Sequence, residues 1–293
     1  LCKLDAYLKM MVDSYALKDV NESLILNEVV RSLYNEITTK EISELIQFAC
    51  CQLIEQDHVY SKLASCVMIE SLVKSLSSEK INDEKTYESL YRKSFLNAMI
   101  YSVESGLFDS KMSEYDWDDL SHYLCFDRDS LFDYMGIFTL KERYLIKINK
   151  QPIESPQGYW MRIAMGLALN EKNKQQRAKE FYDILSQFLY TPSTPTLFHS
   201  GFKVAQLSSC YLNISSDDLH NIFKTFSDNA QLSKWAGGIA TSWTRIRGAG
   251  AYIKGIKSTS QGVIPYLKIA DDVIGAITKA GIRRGGKCAY LEP

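Results

Sequence analysis

The hydrophobic pattern of this chain changes once, near residue 190, and this change restricts the possible folds more than any other feature. Before it, apolar residues recur at helical spacing, as at 42–53, where Thr38 and Glu41 form a T-x-x-E capping box at the helix start. After it, strand-like runs alternate with helical runs and glycine-rich loops, which is the order of elements in an α/β unit. We therefore predict a mixed fold, with an all-α amino-terminal region followed by an α/β unit.

The same pattern divides the chain into three segments. Residues 1–78 contain only helical patterns, residues 79–190 are mostly helical, and residues 191–293 begin with a turn-rich stretch. In the last segment we predict strands at 206–214 and 238–247, helices at 218–235 and 262–279, a glycine-rich loop at 248–255 and a basic glycine-rich loop at 280–287.

Composition and charge exclude several functional classes. The chain has 293 residues, of which 46% are hydrophobic and 24% charged, as expected for a globular protein with a sizeable core. Its formal net charge is -1, so no overall positive field attracts nucleic acid, and no apolar run is long enough to span a membrane. The seven cysteines include no C-x-x-C pair and no Cys/His cluster. We therefore expect no disulfide framework, no zinc site and a reducing cytoplasm.

One cysteine, Cys210, follows two serines within the predicted strand 206–214. Alternation along the strand places Cys210, Leu212 and Ile214 on one face. A single cysteine in a strand is most often a small buried hydrophobic residue, and the spacing alone favours that interpretation over a functional thiol.

Two acidic residues, Asp217 and Asp218, stand at the start of the predicted helix 218–235. Asp217 can cap the free N–H groups of Leu219 or His220. A helix cap is the favoured interpretation, and an acceptor for a ribose hydroxyl at the same helix end is the alternative.

Two further segments combine arginine with glycine. Arg245-Ile-Arg247 precedes Gly248-Ala-Gly250 and Lys254, and Gly281-Ile-Arg-Arg-Gly-Gly286 holds two arginines between glycines. Glycine lets the backbone approach a ligand and the guanidinium group suits phosphate, although solvated turns have the same composition. Neither segment follows the nucleotide-binding patterns GxxxxGK[ST] or GxGxxG.

These segments, taken in order, resemble those of a known enzyme family. The order is Ser193-Thr-Pro-Thr-Leu-Phe198, Gln206-Leu-Ser-Ser-Cys210, Lys234-Trp-Ala-Gly-Gly-Ile239, Arg245-Ile-Arg-Gly-Ala-Gly250 and Lys287-Cys-Ala-Tyr-Leu-Glu-Pro293. The set closely resembles the large subunits of class I ribonucleoside-diphosphate reductases. Earlier segments resemble the helical domain of the same family: Asp127-Arg-Asp129, Tyr134, Gly136, Thr139-Leu140, Glu154-Ser-Pro-Gln157 and Met161-Arg162.

The resemblance implies three domains. Residues 1–78 would be part of an ATP cone, the activity-control module of the family. Residues 79–190 would be the helical amino-terminal reductase domain, and residues 191–293 the first part of a ten-stranded α/β barrel. Because the chain starts at Leu1 and stops within a motif at Pro293, we expect both ends to be truncations.

The resemblance also implies a radical reaction. In this family a thiyl radical removes a hydrogen from the substrate ribose, the 2′-hydroxyl leaves as water, and two cysteines supply the electrons by forming a disulfide. Cys210 matches the first cysteine of that pair, and its partner would lie beyond the end of this chain, so we expect the fragment to be inactive alone. The matched substrate-binding positions are Thr194, Ser209, Ala236, Gly237 and Arg284.

Two nucleotide effector sites are implied as well. The specificity site, which holds ATP or a deoxynucleotide, would place the effector's sugar at Asp217 and its phosphates towards Lys234 and Arg247. The loop 281–286 would link that effector to the substrate. The full specificity-site set is Asp217, Asp218, Leu219, Lys234, Arg247 and Lys254, and the matched cone positions are Thr39 and Lys74.

The resemblance implies no metal and no bound cofactor in this chain. A metal-containing small subunit would supply the radical, thioredoxin or glutaredoxin would serve as reductant, and the full-length protein would be a cytoplasmic homodimer that binds neither nucleic acid nor membrane. Two alternatives remain open at this point. One is a class II, cobalamin-dependent reductase, and the other is a nucleotide-binding regulatory protein without catalysis.

Overall fold

The computed structural model describes residues 2–76, 84–235, 237–278 and 286–292. They form two compact units, one of Leu1–Thr191 with Ser200–Ala205 and the other of Pro192–His199 with Gln206–Pro293. No helix within the described ranges is both long and apolar enough to cross a membrane.

Four helices begin the first unit: α1 (Cys2–Ser14), α2 (Glu22–Arg31), α3 (Thr39–Leu53) and α4 (Val59–Ser75). They share one core, in which Leu8, Ile25, Ile46 and Leu63 are buried, one from each helix. Helix α3 begins where the capping box predicts, because the Thr38 hydroxyl accepts a hydrogen bond from the Glu41 N–H at 3.2 Å and the Glu41 carboxylate accepts one from the Thr38 N–H at 2.8 Å.

The rest of the first unit is also mainly helical, with one small hairpin. Helix α8 is its most buried element, and around it the Arg162 guanidinium donates to the Glu154 carboxylate at 2.6 Å and to the Ser200 carbonyl at 2.8 Å. The elements are α5 (Glu84–Glu104), α6 (Trp117–Tyr123), α7 (Tyr134–Thr139), a π-helical turn (Leu140–Tyr144), β1 (Lys147–Ile148), β2 (Gln151–Pro152), α8 (Pro156–Ala168) and α9 (Lys174–Ser186).

The second unit is built on three parallel strands in the order β3-β4-β7. Helix α11 lies between β3 and β4 along the chain, and α12 lies between the β5–β6 hairpin and β7. This is the predicted order, all-α followed by α/β. The elements are α10 (Thr194–His199), β3 (Cys210–Ile214), α11 (Leu219–Lys234), β4 (Gly238–Ser242), β5 (Ala249–Ile253), β6 (Ser258–Gln261), α12 (Ile264–Thr278) and β7 (Lys287–Tyr290).

Several element boundaries differ from the prediction. The segment 248–255 was expected to be a loop, but most of it is strand β5, paired antiparallel with β6. Gly250 has a positive φ of 83° at an irregularity in this pairing, so the glycine allows a β-bulge within the hairpin rather than an open loop. The strand expected over 238–247 ends at Ser242, because Trp243 is buried against α11 and the chain turns there, with the Ile246 N–H bonded to the Trp243 carbonyl.

The two remaining differences concern the ends of predicted segments. The turn-rich stretch 191–196 leads into α10, and the strand expected from residue 206 begins only at Cys210. Of the predicted loop 280–287, residues 280–285 lie outside the described residues, and β7 begins at Lys287.

Candidate functional site

Cys210 is exposed at the start of β3, directly opposite Gly238 of β4. The face it shares with Leu212 and Ile214 is open: these two apolar side chains are 77% and 55% exposed. The Ser209 hydroxyl lies 3.5 Å from the Cys210 sulfur and donates to it. The prediction that Cys210 is a buried structural residue is therefore wrong. Alternation does place Cys210, Leu212 and Ile214 on one face, but no other element among the described residues of this unit covers that face.

The backbone at Gly237 packs too closely against its surroundings to carry a side chain. A Cβ atom there would lie 2.5 Å from the Tyr211 ring and 3.3 Å from the Leu232 carbonyl oxygen. The next residue, Gly238, donates its N–H to the Ser209 carbonyl at 2.8 Å. These contacts bring the start of β4 against Ser209, and Ala236, the neighbouring predicted substrate residue, lies outside the described residues.

Thr194 is the first residue of α10 and belongs to the same unit as Cys210. Two contacts hold α10 to the segment that leads into β3. The Thr196 hydroxyl donates to the Leu207 carbonyl at 3.1 Å, and the His199 Nδ1 lies 3.0 Å from the Gln206 carbonyl. Neither Thr196 nor His199 was predicted from the sequence, because residue spacing contains no pattern for a side chain that contacts a backbone carbonyl.

A second cysteine, Cys288, shares the exposed face with Cys210. The strand register aligns Leu212 with Ala240 and Ala240 with Cys288, so Cys288 lies two strands across and two residues along from Cys210. Strand spacings of about 4.8 Å and rises of about 3.3 Å per residue put the two Cα atoms roughly 11–12 Å apart. A disulfide needs Cα atoms within about 7 Å, so these two cysteines do not form one in this arrangement.

Asp217 and Arg247 form the central contact of the predicted effector site. The Arg247 Nε donates to the Asp217 carboxylate at 2.7 Å, and another guanidinium nitrogen of Arg247 lies 3.4 Å from the Tyr252 carbonyl. Asp217 is not the helix cap that the sequence suggested. The cap of α11 is Asp218, whose carboxylate accepts from the Asn221 N–H at 2.9 Å, and this leaves the Asp217 side chain available to the arginine.

Lys234 lies far from the pair formed by Asp217 and Arg247. It is the last residue of α11, whereas Asp217 precedes the first, so about 22 Å of helix separates the two ends. The Lys234 ammonium instead lies 5.8 Å from the centre of the Trp235 ring. The expected arrangement of Asp217, Lys234 and Arg247 around one ligand is therefore not found within one chain. Leu219 is exposed at the start of α11, and Lys254 is exposed just after β5.

The two predicted cone residues, Thr39 and Lys74, line the same cavity of the first unit, which has a volume of about 560 Å³. Thr39 is the first residue of α3, and Lys74 is near the end of α4. The Lys74 ammonium pairs with the Glu70 carboxylate at 2.5 Å.

Arg284, the predicted substrate-facing arginine, lies outside the described residues. In the part of the chain that the structure describes, no group of three or more His, Cys, Asp or Glu side chains is arranged to hold a metal ion.

Two protein-family models match this chain. Residues 130–204 match the model described as the ribonucleotide reductase all-alpha domain, and residues 208–293 match the ribonucleotide reductase barrel domain.

Curated relatives are similar along nearly the whole chain. The ribonucleoside-diphosphate reductase subunit alpha of Chlamydia muridarum is 41% identical over 92% of this chain and 26% of its own length. The corresponding subunit of Helicobacter pylori is 35% identical over 100% of this chain and 36% of its own length. The ribonucleoside-diphosphate reductase large chain of Cryptosporidium parvum is 34% identical over 94% of this chain and 34% of its own length. The chain thus spans about a quarter to a third of the curated relatives that it matches.

Proposed function

This chain belongs to the ribonucleotide reductase large-subunit family, and from that premise we propose that the full-length protein reduces ribonucleoside diphosphates to deoxyribonucleotides under the control of bound nucleotides. The observation that carries the proposal is the position of Cys210. It is exposed at the start of a parallel strand, beside the Ser209 hydroxyl and next to the tightly packed backbone of Gly237 and Gly238. A thiol fixed on a strand can be held in one orientation against a sugar.

In the proposed reaction Cys210 supplies half of the reducing equivalents. A thiyl radical first removes a hydrogen atom from the ribose and later returns one. The C2′–O bond breaks and the oxygen leaves as water, while a C2′–H bond forms. Two thiols lose two electrons and two protons and become a disulfide, which balances the reduction. As the resemblance implies, the second thiol would come from a part of the full-length protein that this chain does not span. Cys288 would not take its place, because it is too distant from Cys210.

The substrate would be held by groups of the second unit. Thr194 and Ser209 offer hydroxyl groups, and Gly237, which the resemblance matches to a substrate position, would face the substrate with its backbone. The space where a Gly237 side chain would lie is already filled by the Tyr211 ring. Ala236 and Arg284 complete the proposed set.

The specificity effector would bind at the start of α11. Asp217 would accept a hydrogen bond from the effector's ribose, and Arg247 would leave Asp217 to bind phosphate, with Asp218, Leu219 and Lys254 nearby. Because about 22 Å of helix separates Asp217 from Lys234, Lys234 would reach this effector only from a second copy. This requirement supports the proposed homodimer.

The proposed partners and location follow from the family. A small subunit containing a metal would generate the radical, thioredoxin or glutaredoxin would reduce the disulfide, and the protein would act in the cytoplasm.

The test is reduction of a labelled ribonucleoside diphosphate by the full-length protein, with the small subunit and a dithiol. We expect a deoxyribonucleotide product that depends on both additions. Turnover with adenosylcobalamin in place of the small subunit would assign the protein to the cobalamin-dependent class instead. Nucleotide binding without any turnover in either assay would indicate a regulatory protein.

A further inference from the structure

The cavity that contains Thr39 and Lys74 is lined by two separate parts of the first unit. One wall comes from α3 and α4, within the proposed cone. The other comes from the segment after α7, which carries the π-helical turn and the β1–β2 hairpin. The first wall includes Thr39, Lys40, Ser43, Glu70, Ser71, Leu72, Lys74 and Ser75, and the second consists of Lys141, Gln151 and Pro152.

Three lysines line this cavity, and within the described ranges a carboxylate balances the charge of one of them, Lys74. Lys74 pairs with Glu70, whose carboxylate also accepts a hydrogen bond from the Tyr7 hydroxyl. Among the described residues, Lys40 and Lys141 have no ion-pair partner within 4 Å. Two ammonium groups without a carboxylate partner among the described residues, one from each wall, therefore line this cavity. Its volume of about 560 Å³ is within the range of roughly 300–1,000 Å³ that small-molecule sites occupy.

We propose that Lys141 is a phosphate-binding residue of this cavity, so that a nucleoside triphosphate held by α3 and α4 also binds the helical domain that follows them. This rests on the proposed function, which assigns a nucleotide to Thr39 and Lys74, and adds a contact from outside residues 1–78. A polyphosphate suits this cavity, because it carries several negative charges. Lys40 alone would not neutralise them, and Lys141 would neutralise part of the remainder. A lysine on a flexible four-carbon stem can follow such a chain of phosphates.

The location of Lys141 gives this contact a structural consequence. It lies in the π-helical turn Leu140–Tyr144, an element that is often found at functional sites. The buried side chains of Leu140 and Leu145 fix this turn in the core of the helical domain. A polyphosphate bound by both Lys40 and Lys141 would therefore connect the start of α3 to the segment 140–152. Occupancy of the cone would restrain the neighbouring domain directly.

The test is calorimetric titration of ATP, and separately of inorganic tripolyphosphate, into the full-length protein. An Arg247→Ala background weakens the second proposed nucleotide site, so that the cone dominates the signal. We expect Lys141→Ala to weaken binding by about three- to tenfold, the range expected for a partly exposed charge-assisted contact. Lys141→Arg should restore most of the affinity. Lys172→Ala, which removes an exposed lysine that does not line the cavity, should change nothing.

The possible outcomes separate this inference from the function on which it rests. If Lys74→Ala weakens ATP binding but Lys141→Ala does not, the role of Lys141 is wrong and the cone site stands. If neither variant weakens binding, both the cone site and this inference are wrong. An equal loss in Lys141→Arg and Lys141→Ala would show that charge is not the cause and would also overturn the inference.

Hydrogen exchange provides a second readout that does not depend on affinity. ATP at saturating concentration should slow amide exchange in 140–152 as well as in α3 and α4. In Lys141→Ala, saturated with ATP, the protection of α3 and α4 should remain while that of 140–152 is lost. Unchanged protection of 140–152 in the variant would contradict the proposed contact.

Discussion

The Arg247 guanidinium donates to the Asp217 carboxylate at 2.7 Å and thereby joins the segment before β5 to the start of α11. Both side chains are about one-third exposed, so the pair contributes about 0–1 kcal/mol to folding. Losing either partner should therefore affect ligand binding far more than stability, which makes this pair a direct test of the effector site.

We predict that Asp217→Ala and Arg247→Ala each weaken effector binding by about tenfold or more, since a charge-assisted contact contributes about 1.5–3 kcal/mol. The measurement is nucleotide binding to the full-length protein, together with its melting temperature, which should change little. Lys224→Ala, which removes an exposed cation from the same helix, is the matched control. Normal effector binding by Asp217→Ala would mean that the site is misplaced.

We predict that Cys210→Ser abolishes multiple turnover in the full-length protein. Serine is nearly the same size as cysteine but cannot form a disulfide. Cys288→Ser is the matched control, because Cys288 is exposed on the same face yet too far from Cys210 to pair with it. The measurement is steady-state reduction with a dithiol and the small subunit, and a normal rate in Cys210→Ser would refute the assignment.

Arg284 remains a prediction from the sequence. We expect Arg284→Ala to bind effector nearly normally but to lose the dependence of substrate choice on the effector, because the glycines around it let the loop change shape. The measurement is effector binding combined with competition among four ribonucleotide substrates. Retention of normal effector-dependent selection in Arg284→Ala would exclude this relay.

Asp129 should make stability depend on pH. Burial raises the pKa of its carboxyl from 3.8 to about 7, although hydrogen bonds from Tyr91 and Gln157 partly oppose this. The folded state therefore binds a proton more tightly than the unfolded state does. The contribution of Asp129 to the free energy of unfolding is full below pH 3.8 and is lost as the pH rises through about 7.

We predict that Asp129→Asn removes this dependence, which amounts to at most about 1.4 kcal/mol per pH unit between these values. The measurement is urea unfolding at several pH values from 5 to 8, compared with the unsubstituted chain. Asp127→Asn, at an exposed neighbour, should retain most of the slope, because the Asp127 charge is the smallest of the effects on the Asp129 pKa. A slope that is identical in Asp129→Asn and the unsubstituted chain would contradict the prediction.

The ion pair between Glu154 and Arg162 should be much more important for stability than those at the surface. Both side chains are essentially fully buried. Glu154→Gln preserves the size of the side chain but leaves a buried guanidinium without its carboxylate, which should lower the free energy of unfolding by about 3–5 kcal/mol. Asp228→Asn, which breaks an exposed pair with Lys224, should have little effect in the same urea titration. Equal losses of unfolding free energy in Glu154→Gln and Asp228→Asn would contradict the prediction that the buried pair is the more important.

Local features of the structure followed from the sequence where a pattern depends only on neighbouring residues. Helical spacing predicted α3, and the T-x-x-E capping box located its first residue. Alternation placed Cys210, Leu212 and Ile214 on one face. The order of elements and the resemblance of the motifs identified the family. Each of these depends on periodicity, capping or residue identity, which a linear sequence contains directly.

Tertiary structure alone decided which side chains meet. The sequence could not show that Asp218 caps α11 while Asp217 binds Arg247, because both aspartates suit a helix start and the arginine lies 30 residues away from Asp217. It suggested that Lys234 joins them, whereas the length of α11 separates them. It offered no reason to place Lys141 beside Lys40 and Lys74. Contacts of this kind depend on helix length, strand register and packing between distant segments, and no local sequence pattern encodes these.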